Sequence, residues 1–235
     1  MLTLWGDIDR SFGAAHELRP QPGERVALLL GDQRTARRDG DVLEHRAPPR
    51  AGSRRHDGFV EIVVRKHQGG LCSGQLMALA PGDSIRAFLR RNPGFKPGRG
   101  SAPLILIGAG TGIGPLAGFV RANRRRRPIH LFFGLRHPGS DFFYDEDLRH
   151  WQETGHLARI TTAVSRGQRP HYVQDALRLE AKELARLIQD GARIMVCGGR
   201  EMATGVAVAL AEILAPCGLT TARLKAEGRY VEDVY

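Results

Sequence analysis

Residues 103–115 read PLILIGAGTGIGP, and no other stretch restricts the fold of this chain as strongly. A short apolar run bounded by Pro and Gly suits a strand buried on both faces, as in a parallel sheet. The glycines that follow permit a tight turn and let the backbone approach a phosphate closely. A helix opening directly after such a turn presents free N–H groups and the positive end of its dipole to an anion. The pattern therefore predicts a strand, a turn at Gly110, Thr111 and Gly112, and a helix over 113–123. A tight turn made only for packing would leave the same mark. A P-loop is excluded, because no Gly-Lys-Ser/Thr follows. The apolar stretch 104–120 carries five glycines and a proline, which makes it a poor membrane span.

After this junction, strand and helix signals alternate. Strands are predicted at 129–133, 158–164, 193–197 and 220–226, and helices at 145–154, 173–189 and 202–215. Cys217 and Gly218 form a helix C-cap. This alternation predicts a doubly wound parallel sheet with helices on both faces. The first half differs. Short strands at 26–30, 60–64 and 84–88, and one helix at 73–79, fit a small antiparallel barrel or sandwich. Residues 31–57 are polar, rich in arginine and unpatterned. The Pro- and Gly-rich segment 92–103 marks a boundary, which gives two domains, 1–100 and 101–235.

The 235 residues include three cysteines, Cys72, Cys197 and Cys217, and nine histidines. So sparse and odd a cysteine set argues against a disulfide framework and for a reducing, cytoplasmic setting. No metal-ligand spacing and no secretory signal are visible. Lys and Arg number 35 against 25 Asp and Glu, a formal charge of +10, which favours anionic ligands or acidic partners. No nucleic-acid motif or aromatic stacking platform accompanies the charge, so a nucleic-acid-binding protein ranks low. The arginine run 124–127 is expected to close a helix at the negative end of its dipole.

Further chemistry collects where strands end. The second predicted strand runs into Gly134-Leu135-Arg136. An acid there would bind ribose hydroxyls, whereas an arginine suits a 2′-phosphate. Ser165 and Arg166, with Arg169 near, follow the third strand and combine a hydroxyl with guanidinium groups, again suited to phosphate. Cys197 ends the fourth strand in Val-Cys-Gly-Gly. A cysteine in such a place is more often a small buried hydrophobe than a reactive group.

The ordered set GAGTGIGP, FFGLRH with DFFYDEDL, SRGQ with HYVQDAL, VCGGREM and EGRYVEDVY resembles the ferredoxin–NADP⁺ reductase superfamily, and within it the reductase modules of diflavin reductases and of the sulfite reductase flavoprotein component. The resemblance runs over about 71–235. It implies that Gly110, Thr111 and Gly112 bind the NADPH pyrophosphate, that Ser165 and Arg166 bind the 2′-phosphate, and that Tyr172 and Gln174 contact the adenosine end. It implies that Cys197 lies near the nicotinamide, that Asp233 helps to arrange the hydride-transfer site, and that Tyr235 stacks on a flavin and swings aside for nicotinamide. Pro170 stands where the family often carries a lysine two residues before the tyrosine, with Arg169 beside it as the candidate substitute, and Gly199 and Arg200 stand where many members carry an aspartate.

In the first half, Gly70, Leu71, Cys72 and Ser73 resemble the turn that holds the FAD pyrophosphate. Ser73 is equally a plain helix N-cap. Gln21-Pro22-Gly23-Glu24 resembles the turn into an early barrel strand. The family's Arg-x-Tyr-Ser flavin motif is matched at Arg46, but its tyrosine and serine are replaced by Pro48 and Pro49. The resemblance implies an oxidoreductase in electron transport that passes electrons from NADPH through FAD to an external acceptor, either a flavodoxin-like protein or a haem or metal protein, membrane-bound partners included. The alternative, motivated by Pro48 and Pro49, is an NADPH-binding module that has lost FAD.

Overall fold

The computed structural model describes residues 25–31, 59–65, 69–79, 92 and 94–235. The chain divides into two units, Met1–Arg91 and Asn92–Tyr235.

In the first unit, strands β1 (Arg25–Gly31) and β2 (Phe59–Arg65) pair in register from Arg25 opposite Phe59 to Gly31 opposite Arg65. They run parallel, which corrects the antiparallel expectation for this pair. The connection 32–58 is well beyond the dozen or so residues that a parallel crossover needs, so the separation in sequence gives no reason for a hairpin. Helix α1 spans Leu71–Met77 and begins two residues before its predicted start. Gly70 is its N-cap, and Ser73 lies inside the helix with its hydroxyl donating to the Gly70 carbonyl at 3.4 Å. The N-cap reading of Ser73 is thereby overturned. The predicted strand at 84–88, the turn at Gln21, the stretch 32–57, Arg46, Pro48 and Pro49 lie outside the described residues.

The second unit is built on a five-stranded sheet of order β5-β4-β3-β6-β7, with every pair parallel. Its strands are β3 (Leu104–Ala109), β4 (Ile129–Leu135), β5 (Arg159–Val164), β6 (Arg193–Gly198) and β7 (Tyr230–Val234). Its helices are α2 (Ile113–Arg121), α3 (Pro138–Asp141), α4 (Asp145–Glu153), α5 (Val173–Leu179), α6 (Ala181–Gln189), α7 (Arg200–Leu214) and α8 (Thr221–Ala226).

The alternation of strand side chains sorts the core into two layers. Ile105, Ile107, Phe132, Ile194 and Val196 belong to one buried cluster with Val173 and Leu177 of α5, Leu184 and Ile188 of α6, and Val206 and Leu210 of α7. The intervening residues Leu104, Leu106, Leu131, Phe133 and Met195 are also fully buried and serve the opposite layer, where α2 and α4 pack through Ile113, Leu116, Leu148 and Trp151. Burying one such aliphatic side chain contributes roughly 1.5–3 kcal/mol, so the continuous apolar runs of β3 and β6 anchor the unit.

Two predicted elements change. The strand expected at 220–226 is helix α8. Thr220 caps it, its hydroxyl accepting from the Arg223 N–H at 3.1 Å, and the outer strand is formed instead by Tyr230–Val234. Only Leu224 of α8 is buried, which is the pattern of a short surface helix and not of a sheet edge. The helix predicted at 173–189 is two helices with a break at Glu180. The Glu180 carboxylate accepts from the Thr161 hydroxyl at 2.8 Å and pairs with Arg159 at 2.9 Å, which draws the bend onto β5. The arginine run 124–127 follows α2 and does not close it. The Arg127 guanidinium donates to the carbonyls of Ala102 and, at 2.9 Å, Pro97, and so ties the segment before β3 to the loop before β4. Asn123, buried in the same loop, donates to the Arg127 and His156 carbonyls and accepts from the Arg127 N–H, so its amide is satisfied.

Candidate functional site

In an open parallel sheet the chain reverses direction between the two strands that flank the first, and the loops beyond their carboxyl ends part to form a crevice. Here the chain leaves β3 outward to β4 and β5, then crosses back to β6 and β7. The crevice lies between the loops that follow β3 and β6, and of the predicted residues the turn Gly110–Gly112, Cys197, Asp233 and Tyr235 lie there.

Gly108 of β3, Cys197 of β6 and Asp233 of β7 form one row across three adjacent strands. Immediately beyond Gly108 the chain makes a single 3-10 turn, Gly110–Gly112, and enters α2. Gly110 sits at φ +55°, in the left-handed region that a side chain would strain. Gly112 lies against the backbone of the neighbouring strand: a Cβ there would run into the Cys197 carbonyl. A Cβ on Gly108 would meet Leu116 of α2 at 2.7 Å. The glycines thus bring the opening of α2 down onto the end of β6. The first turn of α2 contains no acidic residue, so no carboxylate of that turn opposes an anion at its positive end.

Cys197 is 1% exposed, and burial, with the Asp233 carboxylate opposite, pushes its thiol up to about 12. Such a thiol stays protonated at neutral pH and acts as a small polarisable wall, not as a nucleophile. Asp233 is half-buried. Burial raises its carboxyl above the ordinary range, while the Asn92 amide, donating to Oδ1 at 3.3 Å, opposes the rise. Tyr235 is bound at both ends: its N–H donates to the Gly198 carbonyl at 3.2 Å, and its hydroxyl lies 2.5 Å from the Thr111 hydroxyl on the glycine turn. Its ring is exposed.

The second group lies at the carboxyl ends of β4 and β5. The Ser165 N–H and hydroxyl both donate to the Leu135 carbonyl, at 2.9 and 3.2 Å, and the Arg166 N–H donates to the Arg136 carbonyl at 3.2 Å. The backbone thereby sets Arg136, Ser165 and Arg166 side by side. The His171 N–H donates to the Val164 carbonyl at 3.0 Å and closes the loop that bears Arg166 and Arg169, both exposed. Tyr172 is the exposed N-cap of α5, and its N–H donates to the Asp175 carboxylate at 2.8 Å. Gln174 lies over Gly205 of α7, where an added Cβ would be 3.0 Å from its amide carbon. Gly134 links the two groups, since a Cβ there would lie 3.2 Å from that of Ala109 and 3.4 Å from that of Val173.

Gly70, Leu71, Cys72 and Ser73 belong to the first unit. Leu71 is almost wholly exposed, and the first turn of α1 lacks an acidic residue. Asn92 escaped the sequence reading as a site residue, because a lone Asn in a Pro- and Gly-rich segment gives no signal of its partner far along the chain. Among the described residues no group of His, Cys, Asp and Glu could hold a metal ion, and no helix is long and apolar enough to cross a membrane.

A five-stranded parallel sheet with a glycine turn on a helix N-terminus and cations at its carboxyl edge has the architecture of a nucleotide-binding α/β domain. Residues 106–207 match the family model described as the oxidoreductase NAD-binding domain, and this unit is similar to the ferredoxin–NADP⁺ reductase family. Among individual proteins, the chain is 38% identical over 189 residues to the sulfite reductase [NADPH] flavoprotein alpha-component of Salmonella typhi, covering 74% of this chain and 32% of that protein. It is 37% identical over 189 residues to the proteins of that name from Klebsiella pneumoniae subsp. pneumoniae and Escherichia coli O139:H28, again covering 74% of this chain and 32% of theirs. The chain spans about a third of the length of these relatives.

Proposed function

We propose that this chain is an NADPH-dependent flavoprotein reductase module that passes electrons through FAD to an external acceptor. The observation that carries the reading is the meeting of the glycine turn, Cys197, Asp233 and Tyr235 beyond three adjacent parallel strands. A nicotinamide needs such a place, with a diphosphate held at one side and a wall shielded from water at the other. The residues fit the nucleotide. The N–H groups that open α2, with the Thr111 hydroxyl, bind the diphosphate. Arg136, Ser165 and Arg166 bind the 2′-phosphate, and Tyr172 and Gln174 flank the adenosine. Cys197 lines the nicotinamide site and keeps water away, Asp233 sets its charge, and Tyr235 covers the flavin until nicotinamide enters. FAD supplies hydride acceptance when bound, and Arg46 with the turn at Gly70, Leu71, Cys72 and Ser73 holds it in the first domain. The domains of this reading are 1–100 and 101–235. A separate haem or metal protein, or a flavodoxin-like protein, accepts the electrons, and the charge of +10 suits an acidic partner. The setting is cytoplasmic.

A second reading, favoured by Pro48 and Pro49, keeps the nucleotide site and drops FAD. The test is the visible spectrum of the purified chain, with and without added FAD and then with NADPH under anaerobic conditions. A flavin band that bleaches is expected. A colourless protein that binds NADPH and never retains FAD establishes the second reading. The 2′-phosphate assignment has its own check. Arg166→Ala should raise the KM for NADPH about tenfold or more, in line with the ~1.5–3 kcal/mol of a hydrogen bond to a charged group, and leave that for NADH nearly unchanged. An unmoved NADPH KM removes Arg166 from the site.

A further inference from the structure

Asn92 reaches the crevice from outside the strands that build it. Its side-chain amide donates to Asp233 Oδ1 at 3.3 Å, and its own Oδ1 accepts from the Phe95 N–H at 3.3 Å. The second bond decides which way the amide faces. With Oδ1 turned to a backbone donor, the NH₂ group must face the carboxylate, and the reverse orientation would set two acceptors against each other. Phe95 is itself fixed, 2% exposed and packed on Phe119 of α2 with ring centroids 5.7 Å apart. A chain of contacts therefore runs from Phe119 of α2 through Phe95 and Asn92 to the carboxylate opposite Cys197.

We propose that Asn92 is a positioning residue of the hydride-transfer site, holding the Asp233 carboxylate in one orientation at the end of β7. The inference rests on the reductase reading. An ionised carboxylate in a fixed place stabilises the positive charge that develops on a nicotinamide ring as hydride leaves, whereas a rotated or protonated one does not. Burial alone favours protonation of Asp233, and the Asn92 donor opposes it. Among the described residues, the surroundings leave this task to Asn92. On β6 the titratable group opposite is the Cys197 thiol. The cations of α8 are engaged elsewhere, Lys225 with Glu232 at 2.8 Å and Arg223 with Glu227 at 2.9 Å. On α7, Arg200 and Glu201 are exposed at the helix opening.

The test uses the full chain with carbon-13 in its Asp carboxyl groups, first without nucleotide. Asp233→Asn identifies the Asp233 resonance. Asn92→Leu removes the donor. Asn92→Asp is isosteric and keeps the Phe95 bond, so it guards against a folding failure of the first variant. The Asp233 midpoint should rise by about one pH unit in Asn92→Leu and further in Asn92→Asp. With FAD added, NADPH-dependent ferricyanide reduction should lose about tenfold in kcat in both variants, with the KM for NADPH within about twofold and a larger primary isotope effect from 4-deuterated NADPH. An unmoved midpoint overturns the inference whatever the activity, and a moved midpoint with unchanged kcat overturns its link to hydride transfer. A wild-type chain that never reduces ferricyanide overturns the reductase reading instead, and the resonance still decides whether Asn92 governs Asp233.

Discussion

Cys197 carries a consequence for stability at alkaline pH. In the unfolded chain its thiol has the ordinary value near 9.0, and in the folded protein burial pushes it to about 12. Between these values the folded state keeps a proton that the unfolded state releases, so rising pH favours unfolding by up to about 1.4 kcal/mol per unit. Burial also raises the Tyr230 hydroxyl, which adds a second contribution of the same sign above about pH 10. Urea unfolding at pH 8 and 10 should show the loss, and Cys197→Ala should show a shallower one. Equal slopes for the two proteins would remove Cys197 as the cause. At this scale sequence was a partial guide. Cys197, Asp233 and Tyr235 stood out through the order of motifs. Their mutual placement, and the amide of Asn92 between Asp233 and Phe95, depend on strand register and on a contact that spans most of the unit.

Among the elements, the junction of β3, the glycine turn and α2 is the least tolerant. Gly112 has backbone, not a flexible side chain, where its Cβ would go, so Gly112→Ala must push β6 and α2 apart. A destabilisation of about 1–3 kcal/mol is expected from such overpacking, together with loss of NADPH binding. Chemical unfolding and calorimetric titration would measure both. An alanine variant of wild-type stability and affinity would show that the turn can move aside. This junction was legible because a buried parallel strand, glycines and an apolar helix face each leave their own mark in sequence. The outer elements were less so. Thr220–Ala226 carries β-branched and apolar residues that suit either state, and the hydroxyl of Thr220 on the Arg223 N–H decides for helix. The break at Glu180 is invisible in helical periodicity, because its cause is a carboxylate engaged by Thr161 and Arg159 on another element.

For the whole molecule, the second unit has its own two-layered core, and the residues proposed to face the nucleotide all lie within that unit. A fragment of residues 92–235 should fold cooperatively and bind 2′,5′-ADP with a Kd within about threefold of the full chain, because an independent core and a complete site need no outside support. Calorimetric titration of fragment and full chain decides the matter, and a fragment that aggregates or fails to bind would place part of the site or its support in residues 1–91. The first unit was harder to read from sequence, because short strands separated by long polar segments specify neither partner nor direction. β1 and β2 are the instance, parallel where an antiparallel pair was expected.

The buried thiol of β6 also makes the protein its own chemical reporter. Cys217 is partly accessible in the turn after α7, while Cys197 is sealed within the central sheet. An alkylating reagent can mark Cys197 only when what packs over that face of β6 lifts away, so its rate of capture counts the openings of the crevice, and a ligand that bridges the glycine turn and β6 will slow that clock.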